Sequence, residues 1–303
     1  MRIATASAFD SAIDTLQRRQ TELVDSQVRL TSGKRVQRGS DDPTDAARGE
    51  RALASLARLD ATARAVSASR NAMQLTDSAL GDAANDLQRA RELMVAAGNG
   101  TYSDGERAAI AVELKGIRDQ LLATANRGDG SGGYLFGGQG SASQPFVDSP
   151  TGVRFDGVRG AAQVSTGEGL PIAVDGDYTW MRATGAGSVF DTLDQAINDL
   201  NTASRTPAAI AASNAQQLGG LDASLDRLQS VRAQVGGVLN RLESIDGRVA
   251  EARVNSETER SVATDLDFTE AISDFQNRQA GYDAALKSYA MVQRMTLFQY
   301  IGG

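Results

Sequence analysis

The architecture of this chain follows from two segments, FDSAIDTLQRRQTELVDSQVRL (residues 9–30) and FTEAISDFQNRQAGYDAALKSY (residues 268–289). Both carry a large apolar residue at every seventh position, and further apolar residues fill in at helical spacing. Each segment therefore predicts a helix with one apolar stripe. The residues of the two stripes are Phe9, Ile13, Leu16, Leu23, Leu30, Phe268, Ile272, Phe275, Tyr282, Leu286 and Tyr289.

The two stripes need a partner. A single short helix is marginal in water, and ordering its backbone costs about 1–2 kcal/mol per residue. One exposed stripe returns too little to offset that cost. We therefore predict that the terminal helices pack on each other or on neighbouring subunits. Phe298 adds apolar surface to a second face of the C-terminal helix, so it joins the stripe residues in the predicted assembly interface.

Between the ends, apolar residues at heptad spacing predict a long helical rod. One run comprises Leu59, Val66, Met73, Leu80, Leu87 and Met94, and another comprises Leu221, Leu228, Val235, Leu242 and Val249. Asp42 and Pro43 predict the start of the first rod helix, and Gly98 predicts its end. Ser103 and Glu106 have the spacing of a capping box, which predicts a helix that folds back on the rod. We interpret the seams of the rod as intramolecular core.

The middle of the chain differs in composition from its flanks. It is rich in glycine, and its apolar residues come in short bursts, which are typical of strands joined by tight turns. The bursts are Tyr134–Phe136, Phe146–Val147, Val153–Phe155, Pro171–Val174 and Tyr178–Met181. The predicted fold class is mainly α, with a long antiparallel coiled-coil-like helical rod and an inserted small β domain.

These patterns predict three domains. Residues 1–42 and 262–303 form the terminal helices of an inner assembly domain. Residues 43–133 and 188–261 form the helical rod. Residues 134–187 form the inserted β domain, which is predicted to point outward.

Composition argues against several functional classes. The chain has no histidine and no cysteine, so it lacks the usual zinc ligands and the commonest general base. We expect no enzyme activity, no cofactor and no metal site. The formal net charge of -7 argues against nucleic acid as a partner. The sequence contains no run of about 18 apolar residues, so we expect no membrane span. Residues 1–10 lack the apolar stretch of a secretory signal.

Several motifs resemble those of the bacterial flagellin family. They are LTSGKRV at residues 30–36 with SDDP at 40–43, GYLFGG at 133–138 with Pro145-Phe146 downstream, and DLDFTEAI at 265–272 leading to LFQYI at 297–301. The Asp-Asp-Pro sequence at residues 41–43 favours the hook-associated branch of that family. Together the motifs cover both ends of the chain and the start of the insert.

The resemblance implies a structural role in the bacterial flagellum. A ring of such subunits joins the hook, through hook-associated protein 1, to the flagellin filament. The family is exported unfolded by the flagellar type III apparatus to the cell exterior, without a cleaved signal peptide and with an export chaperone. Its terminal helices order only on assembly.

Two alternatives remain open at this stage. One is a filament flagellin, which polymerises with itself instead of connecting two unlike lattices. The other is an enzyme or ligand-binding module in the β insert, although the insert offers no obvious reagent for it.

The densest basic patch comprises Lys34, Arg35 and Arg38, followed by Asp41 and Asp42. We interpret it as salt-bridged or solvated loop charge. The sharper hypothesis is that the patch contacts acidic neighbours during assembly.

Overall fold

The computed structural model describes residues 2–140, 143–165, 169–182 and 187–301, and side chains at the helix ends 2–9 and 292–301 lie outside this description. Six α-helices dominate this part of the chain. They are α1 (Arg2–Ser32), α2 (Pro43–Ala97), α3 (Asp104–Ala125), α4 (Val189–Asn201), α5 (Pro207–Thr264) and α6 (Phe268–Ile301). Four short strands lie between α3 and α4, namely β1 (Phe146–Ser149), β2 (Gly152–Phe155), β3 (Gln163–Ser165) and β4 (Gly169–Pro171). The predicted mainly α fold with a small β insert is confirmed.

The chain forms two compact units. The first contains Met1–Leu59 and Glu251–Gly303, and the second contains Asp60–Ala250. The predicted division into three domains at the stated boundaries stays a prediction.

The helix boundaries follow the capping residues. Helix α2 begins at Pro43, where Asp42 Oδ1 accepts hydrogen bonds from the amides of Thr44 and Asp45 at 3.1 and 3.0 Å. These contacts satisfy amides that have no partner inside the helix. Helix α3 begins with the predicted capping box between Ser103 and Glu106. Both predicted helix starts are confirmed.

In the second unit, helices α2 and α5 run antiparallel. Asp77 pairs with Arg232 at 2.8 Å, and further along α2 Arg91 pairs with Asp222 at 2.6 Å. The heptad residues lie in the core, as predicted for this unit. The buried ones are Val66, Met73, Leu80, Leu87, Met94, Leu221, Leu228, Val235 and Leu242.

The insert contains two separate antiparallel hairpins. Strand β1 pairs with β2, and β3 pairs with β4. Two predicted strands are wrong. Tyr134–Phe136 is a turn in which Tyr134 forms an isolated bridge with Gly128, and Asp177–Met181 forms a single π-helical turn. Asp175 causes this turn. Its main-chain oxygen accepts hydrogen bonds from the amide and hydroxyl of Thr179, and its carboxylate accepts one from the amide of Tyr178. Such local bonds compete with strand pairing.

Aromatic side chains from the insert share one core with a helix. Trp180 contacts Phe136 edge-on at a centroid distance of 5.2 Å and stacks on Phe190 of α4 at 6.3 Å. Phe146 of β1 contacts Phe155 of β2 at 5.2 Å. Because Phe190 belongs to α4, the aromatic core of the insert is continuous with the helical core of this unit.

A buried guanidinium ties the first hairpin to two helices. Arg118 of α3 has an 8% exposed side chain, donates to both carboxylate oxygens of Asp148 on β1 at 2.6 Å, and donates to Asp194 of α4 at 3.1 Å. These hydrogen bonds hold the pKa of Asp148 below its usual value. Nearby, the side-chain amide of Asn126 exchanges two hydrogen bonds with the backbone of Phe146. The position of β1 therefore depends on side chains of α3.

Candidate assembly interface

The first unit is closed by a hydrogen-bonded corner between the end of α1 and the start of α6. The amide of Arg35 donates to the carbonyl of Thr264 at 2.9 Å, and the amide of Leu266 donates to the carbonyl of Gly33 at 3.0 Å. Gly33 has a φ of +67°, a conformation that glycine adopts at low cost just after a helix. The flagellin-like motif at residues 30–36 therefore builds a specific turn.

Arg35 is the structural member of the basic patch. Its guanidinium pairs with Asp42 at 3.5 Å, contacts Asp45, and donates to the carbonyl of Ala263 at 3.0 Å. The amide of Asp45, together with Arg35, holds the pKa of Asp42 below its usual value. The salt-bridge interpretation is confirmed for Arg35. Lys34 and Arg38 are exposed, and their role in assembly stays a prediction.

Arg35→Met is expected to loosen this corner. Hydrogen bonds to a charged group contribute about 1.5–3 kcal/mol, and less when they are partly exposed. We therefore expect about tenfold faster hydrogen exchange at the amides of Val36 and Leu266. Arg38→Met is the matched control, since Arg38 is exposed on the same loop. Equal exchange in the two variants would show that Arg35 does not hold the corner.

Helices α1 and α6 pack on each other in antiparallel orientation. Glu22 and Arg278 approach to 3.9 Å, and a methyl group built on Gly33 would lie 3.5 Å from the ring of Phe268. A methyl group on Gly281 would lie 2.6 Å from Nη1 of Arg19, so the side chain of Arg19 on α1 reaches the backbone of α6. The prediction that the terminal helices pack on each other is confirmed.

The predicted interface residues fall into three groups. Those that are partly buried are Leu16, Leu23, Leu30, Phe275, Tyr282 and Tyr289. Those that are exposed are Ile13 at 39%, Phe268 at 53%, Ile272 at 48% and Leu286 at 41%. The side chains of Phe9 and Phe298 lie outside the described residues. Among the side chains described on these two helices, none is fully buried.

Further exposed apolar residues extend this surface. Val24 is 51% exposed and Val28 is 46% exposed. At about 100° per residue, both project from α1 about 100–140° away from Leu23, on a second stripe that also includes Ile13. Neither valine belongs to the seven-residue repeat of α1, so that repeat did not predict them as interface residues. Their spacing of four residues could have identified them.

We give the name open stripe to five of the exposed apolar residues on these two helices, namely Ile13, Val24, Val28, Ile272 and Leu286. Because Glu22 faces Arg278 across the antiparallel pair, Val28 lies level with Ile272. Helical geometry turns these side chains toward the same side of the α1–α6 pair. At the level of Val28 and Ile272 the open stripe therefore includes residues of both helices.

The opposite side of the same pair is charged. A groove of about 490 Å³ lies between α1 and the start of α6. It is lined by the carboxylates of Glu22, Asp25, Asp265, Asp267, Glu270 and Asp274 and by the guanidiniums of Arg29, Arg35 and Arg278. The acidic residues form no cluster with the arrangement of a metal site within the described part of the chain. The helix pair is thus apolar on one side and acidic on the other.

Together these features describe a helical structural protein with a surface suited to packing against other chains. Single exposed apolar residues are ordinary, whereas contiguous apolar patches mark interaction sites, so the open stripe is a candidate contact surface. No helix of the described residues combines the length and apolarity needed to cross a membrane.

Sequence comparison agrees with this class. The bacterial flagellin N-terminal helical region matches residues 3–141, and the bacterial flagellin C-terminal helical region matches residues 218–301. The chain therefore belongs to the bacterial flagellin family.

Individual relatives refine the comparison. Flagellar hook-associated protein 3 of Salmonella typhimurium is 31% identical over 99% of both chains. A flagellar filament 30.7 kDa core protein of Treponema maltophilum is 26% identical over 83% of this chain and 81% of its own. The crystal structure of flagellar hook-associated protein 3 from Legionella pneumophila superposes with a TM-score of 0.64 at 20% identity, covering 69% of this chain and 97% of that one. That likeness concerns the fold.

Proposed function

We propose that this chain is a structural subunit that joins the flagellar hook to the flagellin filament. The observation that carries the proposal is the match over nearly the whole length to flagellar hook-associated protein 3. The match includes the central insert as well as the helical ends. A full-length match supports a shared role better than a match confined to the terminal helices would.

The open stripe supplies the physical basis for assembly. Burial of apolar surface contributes about 25 cal/mol per Å², and the stripe contributes little while it faces water. Contact with neighbouring copies or with other axial proteins would cover it. In this proposal the α1–α6 pair gains most of its stability from those contacts, because its own side chains are at best partly buried.

The expected partners follow from this role. They are hook-associated protein 1 on the hook side, flagellin on the filament side, further copies of the same chain in a ring, and an export chaperone before assembly. The subunit acts outside the cell as part of the flagellum, and it has a structural rather than a catalytic role.

The filament flagellin alternative has weaker support. The filament core protein matches with lower identity and over less of the chain than hook-associated protein 3 does. A filament subunit would form long homopolymers when purified protein is concentrated. A junction subunit would not.

Pull-down experiments test the proposal. Purified full-length chain is expected to bind both hook-associated protein 1 and flagellin, and a chain that lacks residues 1–42 and 262–303 is expected to bind neither. Circular dichroism of the shortened chain checks that its helices remain folded. Failure of the full-length chain to bind either partner would contradict the proposed role.

A further inference from the structure

A small polar cavity lies where four helix ends meet in the second unit. The end of α2, the start of α3, the end of α4 and the start of α5 surround it, and its volume is about 10 Å³. Among its lining residues are Met94, Arg107, Leu200 and Asn214. A volume of about 10–15 Å³ accommodates a single water molecule.

Most polar groups around this cavity have protein partners. Arg107 donates through Nη2 to the carbonyl of Asn99 at 3.4 Å and pairs through Nη1 with Asp104 at 3.6 Å. Arg205 pairs with Asp199 at 3.3 Å and donates to the carbonyl of Ala209 at the same distance. These contacts account for the charged groups of the cavity wall.

Two buried atoms of the wall remain. Arg107 is 8% exposed, and neither its Nε nor the Oδ1 of Asn214 has a hydrogen-bond partner among the described residues. A buried polar atom without a partner is destabilising, and such atoms are usually satisfied by protein or by ordered water. Both residues line the same cavity.

We propose that this cavity binds one structural water molecule, which accepts a hydrogen bond from Arg107 Nε and donates one to Asn214 Oδ1. The water links the first turn of α3 to the N-terminal part of α5. It thereby connects α3 and α5, which are distant in sequence, at the place where the termini of four helices meet. This site is independent of the proposed assembly role.

The two atoms also select against other small occupants. Nε–H of an arginine is a donor, whereas Oδ1 of an asparagine is an acceptor. Chloride can accept a hydrogen bond from Arg107 Nε but cannot donate one to Asn214 Oδ1. A cation could bind Asn214 Oδ1 but would be repelled by the guanidinium of Arg107. Water has both functions.

The lack of a side chain at Gly98 leaves room for the amide of Asn214. A methyl group built on Gly98 would lie 2.4 Å from Nδ2 of Asn214, which is closer than real contacts allow. Gly98→Ala is therefore expected to push the amide of Asn214 away from the cavity while leaving its chemistry intact. In Gly98→Ala the amide is displaced, whereas in Asn214→Ala it is removed, so the two variants distinguish these effects.

A crystal structure of the full chain at a resolution that shows ordered water tests the proposal. We expect one density peak at 2.7–3.2 Å from both atoms, the usual range for hydrogen bonds. A cavity without density would overturn the proposal. A bromide soak that gives an anomalous peak in the cavity would also overturn it, because the occupant would then be an anion.

Thermal unfolding provides a second test. Asn214→Ala and Gly98→Ala are each expected to lower the melting temperature by about 2–4 °C, which corresponds to loss of one buried hydrogen-bonded bridge. Asn240→Ala is the matched control, because Asn240 is an exposed asparagine on the same helix. A loss in the control equal to that in Asn214→Ala would contradict a specific water bridge.

Discussion

A chain with Val24→Ser, Val28→Ser and Ile272→Ser is expected to need about 100-fold higher concentration for half-maximal assembly with hook-associated protein 1 and flagellin. All three residues belong to the open stripe and are about half exposed before assembly. Covering the exposed part of each contributes about 1 kcal/mol. The sum corresponds to about two orders of magnitude in affinity. Sedimentation of the assembled material measures this directly.

The matched control carries Val95→Ser and Val112→Ser. These residues are 54% and 74% exposed and belong to the second unit, whereas the terminal helices belong to the first. We expect their replacement to leave assembly unchanged. If the control lost as much affinity as the stripe variant, exposed apolar area in general, and not the open stripe, would drive assembly.

Arg118→Met is expected to lower the melting temperature of the second unit by about 4–8 °C. The variant leaves Asp148 and Asp194 without their guanidinium partner, and breaking a buried ion pair is strongly destabilising. Because both carboxylates are partly exposed, we expect a loss of about 2 kcal/mol, less than for a fully buried pair. Differential scanning calorimetry measures the shift. Arg89→Met serves as the control, since the ion pairs of Arg89 are exposed, and we expect it to change the melting temperature little.

The effect of Arg118→Met should depend on pH. Hydrogen bonds from Arg118 depress the pKa of folded Asp148 below its unfolded value, which is about 3.9 for a free aspartate. The stabilisation is therefore fully present above about pH 4 and is lost as pH falls through the depressed pKa. The difference between the wild-type and variant melting temperatures should shrink below about pH 4. A constant difference down to pH 2 would show that Arg118 acts through packing alone.

The helices were predictable because their determinants are local. Asp42 with Pro43, and Ser103 with Glu106, define helix starts within a few residues. The heptad repeats identified the core faces of α2 and α5 because buried side chains on a helix must recur at its own period. Seven-residue repeats also identified the side chains of α1 and α6 that are partly buried between these two helices.

The insert was harder to predict because its short apolar bursts suit either strand or helix. Tyr178 to Met181 has a strand-like composition, yet hydrogen bonds that Tyr178 and Thr179 donate to Asp175 form a turn, and Trp180 is buried in the aromatic core. Phe190 completes that core from a helix that lies beyond the insert. Contacts of this kind depend on residues far apart in sequence, so periodicity does not reveal them.

The sequence by itself determined the helical periodicity, the caps, the family and the apolar character of both ends. Only the tertiary structure decided which apolar residues remain outside the α1–α6 pair, that Arg35 closes a corner, and that Arg118 joins three elements. The physical reason is that a repeat specifies which side of one helix is apolar, whereas exposure depends on how much of that side the partner helix covers.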